Sequence, residues 1–171
     1  SLYEYLNIMY KGVSNKNSTM SLPVPMLNIM NGGCHANNSV DIQEFMIIPS
    51  NKFNFKDGLM KSVEVYTHLK NLLIEKGLSV SVGDEGGFAP NLKTSEEVLD
   101  LIILSIERAG LIYLDDISIA LDCAASELFN KDTYRLTGEN KKYSSEEMVV
   151  YIQSLVDKYE IKSVEDPFDE T

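Results

Sequence analysis

The sequence predicts an α/β fold that opens with an antiparallel β-hairpin and continues as parallel strands fed by helices. Three observations carry that reading. Two extended, apolar segments at 22–30 and 41–48 lie close enough along the chain to pair antiparallel. From residue 94 the order is helix, strand, helix, strand, which implies crossover connections rather than a sandwich. The strands at 117–121 and 161–164 are largely apolar, as expected where helices cover a sheet.

Each element has a local cause. Residues 1–21 read as a lead-in: a short apolar start, then a polar, turn-rich linker or surface loop at 12–21, so that 22–171 forms the body of the fold. In Leu22-Pro23-Val24-Pro25-Met26-Leu27-Asn28-Ile29-Met30 each proline pushes its predecessor out of the helical region, and Asn31-Gly32-Gly33 breaks the extended run. The second strand, 41–48, is ended by Pro49. The period then changes to Leu59, Val63, Tyr66, Leu69 and Leu73, a helical stripe closed by Gly77. Thr94-Ser95-Glu96-Glu97 has capping-box spacing and opens a helix with Val98, Leu101, Ile102, Ile106 and Ala109 on one face and Gly110 after its end. Ser144-Ser145-Glu146-Glu147 repeats the device before Met148, Tyr151, Ile152, Leu155 and Tyr159.

Composition excludes some classes of function. Acidic residues outnumber basic ones 26 to 15, which works against the phosphate-neutralising patch that nucleic-acid binding needs and against anionic membranes. The surplus of carboxylates suits either a divalent cation or a solvated acidic surface. No apolar run approaches the roughly 18 residues of a membrane span, and the start lacks a basic region followed by an apolar core, so a cytoplasmic protein is expected. Cys34 and Cys123 lie far apart without metal-ligand spacing and are expected to be reduced thiols.

Acids stand where chemistry is common. Asp122 follows one helix-fed strand, and Glu165-Asp166 close the other. In barrel-type α/β folds, polar groups at the carboxyl ends of strands converge on one face, and two carboxylates can share a hard cation. A strand-end acid also serves as a helix cap or loop contact. Gly83-Asp84-Glu85-Gly86-Gly87-Phe88-Ala89-Pro90 sets two acids among glycines, either an acidic turn or a loop that carries carboxylates to a ligand. His35, in the flexible stretch after Gly32-Gly33, is either an anion contact or a solvated surface residue. Gln43-Glu44 interrupts an apolar strand, and alternation alone does not decide whether Glu44 faces water or a polar site. Were it to face Glu85, the two carboxyl groups would resist simultaneous ionisation and share a proton, as general-acid chemistry requires.

Together these segments resemble the enolase family. The residues that carry the resemblance are Leu22-Pro23-Val24-Pro25, Asn31-Gly32-Gly33 with His35, Gln43-Glu44-Phe45-Met46-Ile47, the string from Val82 through Pro90 to Leu92, Ala120-Leu121-Asp122-Cys123-Ala124 and Ser163-Val164-Glu165-Asp166. They stand in the family's order, and Val40-Asp41-Ile42-Gln43-Glu44-Phe45-Met46 looks more like bacterial members than animal ones. The resemblance implies an internal portion of an enolase: a partial TIM-type (β/α) barrel opening with the hairpin, without the family's N-terminal domain and the rest of the barrel. It implies a Mg2+-dependent phosphopyruvate hydratase of glycolysis that interconverts 2-phosphoglycerate and phosphoenolpyruvate, with this portion inactive alone.

The resemblance also assigns roles. Asp122 and Glu165 would ligate Mg2+, Glu85 supported by Glu44 would protonate the departing hydroxyl, and His35, Gln43 and Glu44 would surround the substrate. The catalytic lysines and a third metal-binding acid would lie beyond Thr171. Proton removal beside a carboxylate builds negative charge that cations must stabilise, and a Lys or His base with Mg2+ is general in this superfamily. A homodimer, a cytoplasmic location and reports of surface and secreted forms follow from the family alone, as does the alternative of a non-catalytic enolase-like binding protein. The chain departs from the family pattern at Cys34, at Ala125 where serine is common, and at 111–114, an apolar run replacing a polar turn.

Overall fold

A computed structural model describes residues 1–14 and 20–170, with the backbone alone at Val13, Ser14 and His35. Helix α1 (Leu2–Ser14) takes in the first three residues of the stretch read as a loop, and the part of that loop at 15–19 lies outside the described residues. Leu2, Tyr3, Leu6 and Ile8 on this helix are exposed.

Pairing begins only after the second proline, because a proline donates no ladder hydrogen bond. Strand β1 (Leu27–Asn31) runs antiparallel to β2 (Glu44–Pro49), with Leu27 opposite Ile47, Asn31 opposite Glu44 and a bulge between Asn28 and Met30. Residues 22–26 and 41–43, read as strand, lie outside the ladder.

Helix α2 (Phe55–Glu75) follows, its Asn54 cap accepting from the Asp57 N–H at 2.9 Å. The predicted stripe is turned at its start: Leu59 and Val63 are 37% and 51% exposed, and the buried face is Gly58, Ser62, Val65, Leu69, Leu72 and Leu73. Close approach to the sheet explains the turn. A Cβ on Gly58 would sit 3.1 Å from Pro49 Cγ, so only small side chains fit there, and the buried Ser62 hydroxyl is satisfied by the Gly58 carbonyl at 2.9 Å.

Helix α3 (Ser95–Arg108) starts as predicted at Thr94, whose side chain accepts from the Glu97 N–H at 3.1 Å. The Glu97 carboxylate reaches one residue further back, to the Lys93 N–H at 2.8 Å, so the reciprocal box is not formed here. In the apolar run at 111–114, Leu111 and Tyr113 have a packing reason, while Ile112 and Leu114 are exposed. Leu111 enters the core, the Tyr113 hydroxyl donates to the Tyr159 carbonyl, and Leu114 turns the chain at φ +70°.

Strand β3 (Ile117–Asp122) pairs antiparallel with β2 along its whole length. A short helix α4 (Ala125–Leu128) then leads into a three-stranded antiparallel sheet that the sequence reading lacked: β4 (Phe129–Asn130), β5 (Thr133–Leu136) and β6 (Lys141–Tyr143). Helix α5 (Ser145–Tyr159) has the full reciprocal box between Ser144 and Glu147, at 3.3 and 2.8 Å. It delivers β7 (Ser163–Glu165), parallel to β3 as expected of a helical crossover.

The main sheet has the order β1-β2-β3-β7, open within the described residues. Phe45 and Ile47 of β2, with Ile117, Ile119 and Leu121 of β3, face the helices and join Leu69, Leu73, Leu99, Ile102, Met148 and Leu155 in one core. Burial of each such side chain contributes about 1.5–3 kcal/mol. Alternation assigns the intervening residues to the other face: Glu44, Met46 and Ile48 on β2, Asp122 and Ala120 on β3, Glu165 on β7. Among the described residues no helix is long and apolar enough to cross a membrane.

Candidate active site

Strand direction explains how the acids gather. Glu44 opens β2 and Asp122 closes β3, and because these strands run antiparallel, the start of one meets the end of the other. Glu165 closes β7, parallel to β3, at the same rim. Ladder pairs Glu44↔Asp122 and Asp122↔Glu165 place three carboxylates side by side on the face away from the helices. Register puts Glu44 on this face, opposite Asp122.

Glu85 reaches the same rim on a braced turn. The Gly83 N–H donates to Gly87 O at 2.8 Å, and the Gly86 N–H to Gly83 O at 3.2 Å. Phe88 locks the turn to β1: its N–H donates to Ile29 O at 2.9 Å and its carbonyl accepts from the Asn31 N–H at 2.8 Å. Glycine is required twice. Gly86 has φ +87°, and a Cβ on Gly87 would lie 2.8 Å from Met30 N. Asn31, 1% exposed, donates from Nδ2 to the Gly87 carbonyl at 3.1 Å, and Tyr66 of α2 donates to the Gly86 carbonyl at 2.9 Å.

So held, Glu85 and Glu44 share a hydrogen bond. Burial first, then that bond, then the negative charges of Glu85, Asp122 and Glu165 push the Glu44 carboxyl up to about 8. Two carboxyl groups bond only when one keeps its proton, so this pair carries a transferable proton at neutral pH.

Asp122 makes the loop contact expected of a strand-end acid: its Oδ1 accepts from the Ala124 N–H at 3.0 Å, stabilising the turn into α4. Gln43 Oε1 accepts from the Cys34 thiol at 2.9 Å. The backbone of His35 ends a short 3-10 turn (Gly33–His35), and its side chain lies outside the described residues. This turn needs Gly32, whose Cβ would meet Ile42 O at 2.4 Å. Both cysteines are free, and Cys123 is buried.

Three contributors were absent from the sequence reading. Asn38 donates from Nδ2 to the carbonyls of Asn31 (2.9 Å) and Pro90 (3.0 Å), binding the loop before β2 to the Glu85 turn. Asp41, 7% exposed, accepts from the N–H groups of Gly138 (2.9 Å) and Glu139 (3.0 Å), anchoring β2 to the β5–β6 hairpin. Tyr66 is the third, read only as part of a stripe. Asp41 and its partners are nearly a hundred residues apart, and no local pattern announces such a contact.

A cavity of about 210 Å³ beside the rim is lined by Gly33, Cys34, Asp41, Gln43 and Cys123. A larger one of about 510 Å³, between α5 and β6, lies away from these acids and shares none of them. Among the described residues no three of His, Cys, Asp and Glu stand together as a ready metal cage.

Comparison with known proteins agrees with this geometry. A family model described as "Enolase, C-terminal TIM barrel domain" matches residues 19–171. The chain is similar to the enolase of Legionella pneumophila (strain Lens), 47% identical over 156 residues, which cover 91% of this chain and 37% of that protein. It is also similar to the enolase of Wolinella succinogenes, 51% identical over 167 residues, covering 96% of this chain and 39% of that protein. It thus spans under two-fifths of the length of these curated relatives. An acid-rimmed sheet opening with a hairpin, matched over nearly its whole length, places the chain in the enolase family, in the C-terminal TIM barrel domain.

Proposed function

We propose that this chain provides part of the active site of a phosphopyruvate hydratase, the lyase that interconverts 2-phosphoglycerate and phosphoenolpyruvate plus water in glycolysis. The observation that carries the reading is the hydrogen-bonded Glu44–Glu85 pair set beside Asp122 and Glu165 at one rim. Glu85, exposed at the tip of its braced turn, protonates the departing hydroxyl. Glu44, half-buried behind it, shares the proton and keeps it at the rim until it is used.

The donor set suits Mg2+. This ion takes oxygen ligands, keeps several waters and is commonly held by one or two carboxylates together with its substrate, so Asp122 and Glu165 suffice without a closed cage. When bound, it would stabilise the negative charge that grows on the substrate carboxylate as the carbon-bound proton leaves. After burial and the Glu85 bond, the charges of Asp122 and Glu165 also raise Glu44, and a bound cation would offset that negative charge. Gln43 and His35 are assigned to the substrate. The base is expected from the remaining barrel strands, so the 171 residues alone should not turn over substrate, and the active form is a cytoplasmic homodimer.

Grafting tests the reading. The segment of Wolinella succinogenes enolase that matches this chain is replaced by residues 1–171, and phosphoenolpyruvate formation is followed with Mg2+. The graft is expected to be active, and Glu85→Gln is expected to lower turnover by about 10²–10⁴-fold. A graft that folds and assembles yet stays inactive, or whose rate ignores Glu85→Gln, contradicts the reading and favours a non-catalytic enolase-like binding protein.

A further inference from the structure

We infer that Tyr66 is a positioning residue whose hydroxyl sets the place of the Glu85 carboxyl against Glu44. The inference rests on the function proposed above. Tyr66 lies on α2, on the helix side of the sheet. What it holds is the backbone next to the acid: its hydroxyl donates to the Gly86 carbonyl at 2.9 Å, one residue after Glu85. Its ring stacks on Phe88, centroids 4.3 Å apart and planes 12° from parallel. Phe88 in turn is hydrogen-bonded in both directions to β1.

The turn is therefore gripped by Phe88, by the Asn31 side chain and by Tyr66, and these grips differ in kind. The Phe88 stack and ladder bonds fix where the turn lands on β1. The Tyr66 hydroxyl fixes the rotation of the Gly86-Gly87 peptide, next to the Glu85-Gly86 peptide that the Gly86 N–H bond to Gly83 O holds; between them Gly86 stands at φ +87° with nothing within 4 Å of where its Cβ would lie. Glu85 is itself exposed, so its carboxyl takes its place from the turn that carries it and from its bond to Glu44. Partial burial of Tyr66 holds its hydroxyl above the usual titration range, so it remains a donor at working pH. Fixing one peptide plane is enough to matter, because a displacement on the order of 1 Å at a reacting group costs up to ~100-fold in rate.

The chemistry offers a selective readout. Removal of the carbon-bound proton and departure of the hydroxyl are separate demands, and Glu85 serves the second. A residue acting through Glu85 should slow elimination while leaving exchange of the carbon-bound hydrogen with deuterated solvent nearly intact. Tyr66→Phe deletes the hydroxyl and keeps the stack. In the grafted enzyme it is expected to lower kcat for elimination by about 5–50-fold, to leave KM within about twofold, and to raise the ratio of exchange to elimination. In the 171-residue chain the same change is expected to speed hydrogen exchange at the Gly83, Gly86 and Gly87 amides while the Phe88 amide stays protected. Unchanged kcat and exchange ratio would overturn the inference. So would an equal fall in elimination and exchange with loss of Phe88 protection, which marks a merely structural residue. An unsubstituted graft without activity would refute the proposed function, and Tyr66 would then stand or fall on the amide pattern alone.

Discussion

Removing Asp41 should destabilise the chain far more than its position in a loop suggests. Its carboxylate accepts from the N–H groups of Gly138 at 2.9 Å and Glu139 at 3.0 Å, and from the Thr137 hydroxyl at 3.5 Å. Water does not readily replace it, since Asp41 is 7% exposed and a Cβ on Gly138 would lie only 1.6 Å from Ser39 O. A backbone donor bonded to a charged group contributes about 1.5–3 kcal/mol. Two such bonds, taken at the lower figure because Thr137 is exposed, give about 3 kcal/mol for Asp41→Ala. For a chain of this size that corresponds to a fall in Tm of about 6–12 °C. Asp41→Asn keeps one acceptor but turns an N–H2 toward a donor, so it should lose about half as much. Urea titration monitored by circular dichroism reads both variants. A loss below about 1 kcal/mol for Asp41→Ala would refute the claim that this carboxylate pins β2 to the β5–β6 hairpin.

The remaining predictions concern the rim. Gly87→Ala forces a methyl to 2.8 Å from Met30 N and 2.9 Å from Ile29 C, backbone atoms that do not yield cheaply. A loss of about 1–3 kcal/mol is expected, and amide exchange at Phe88 should quicken, whereas unchanged protection would contradict the close approach. In metal-free buffer, stability should fall as pH rises through the window between 4.5 and about 8, because the folded chain retains the Glu44 proton that the unfolded chain has lost. That full interval corresponds to about 5 kcal/mol before screening, and water at the half-exposed rim reduces it to about 1–2 kcal/mol. Glu44→Gln should flatten the dependence, and urea titrations at both ends of the window that show the same slope for wild type and variant would sink the assignment.

Much of the fold was legible because it rests on local pattern. Capping residues Thr94 and Ser144, the helical periods of α3 and α5, and the prolines bounding the hairpin each act within a few residues. The strand-end acids were legible for the same reason. Other features depend on contacts that periodicity does not record. Leu59 and Val63 fit a helical stripe, yet the approach of Pro49 to Gly58 turns that part of α2 away from the core. The β4–β6 sheet escaped because its strands are two to four residues long and carry Asn130, Arg135, Lys141 and Lys142 among few apolar residues, too short and polar for an alternation signal. Asp41 and Tyr66 act across long sequence separations, and an acid in a loop or a tyrosine on a helix has no local mark of such a role.

The central claim is that Asp122 and Glu165, on neighbouring strands, hold one hard cation next to Glu44. Titration of the 171-residue chain with Mn2+, an oxygen-seeking paramagnetic stand-in for Mg2+, while amide resonances are recorded, tests it most directly. Line broadening should centre on Glu44, Asp122, Cys123 and Glu165 and should vanish in Asp122→Ala. Broadening centred instead on the acids that open α5, or persisting unchanged in Asp122→Ala, would contradict the account.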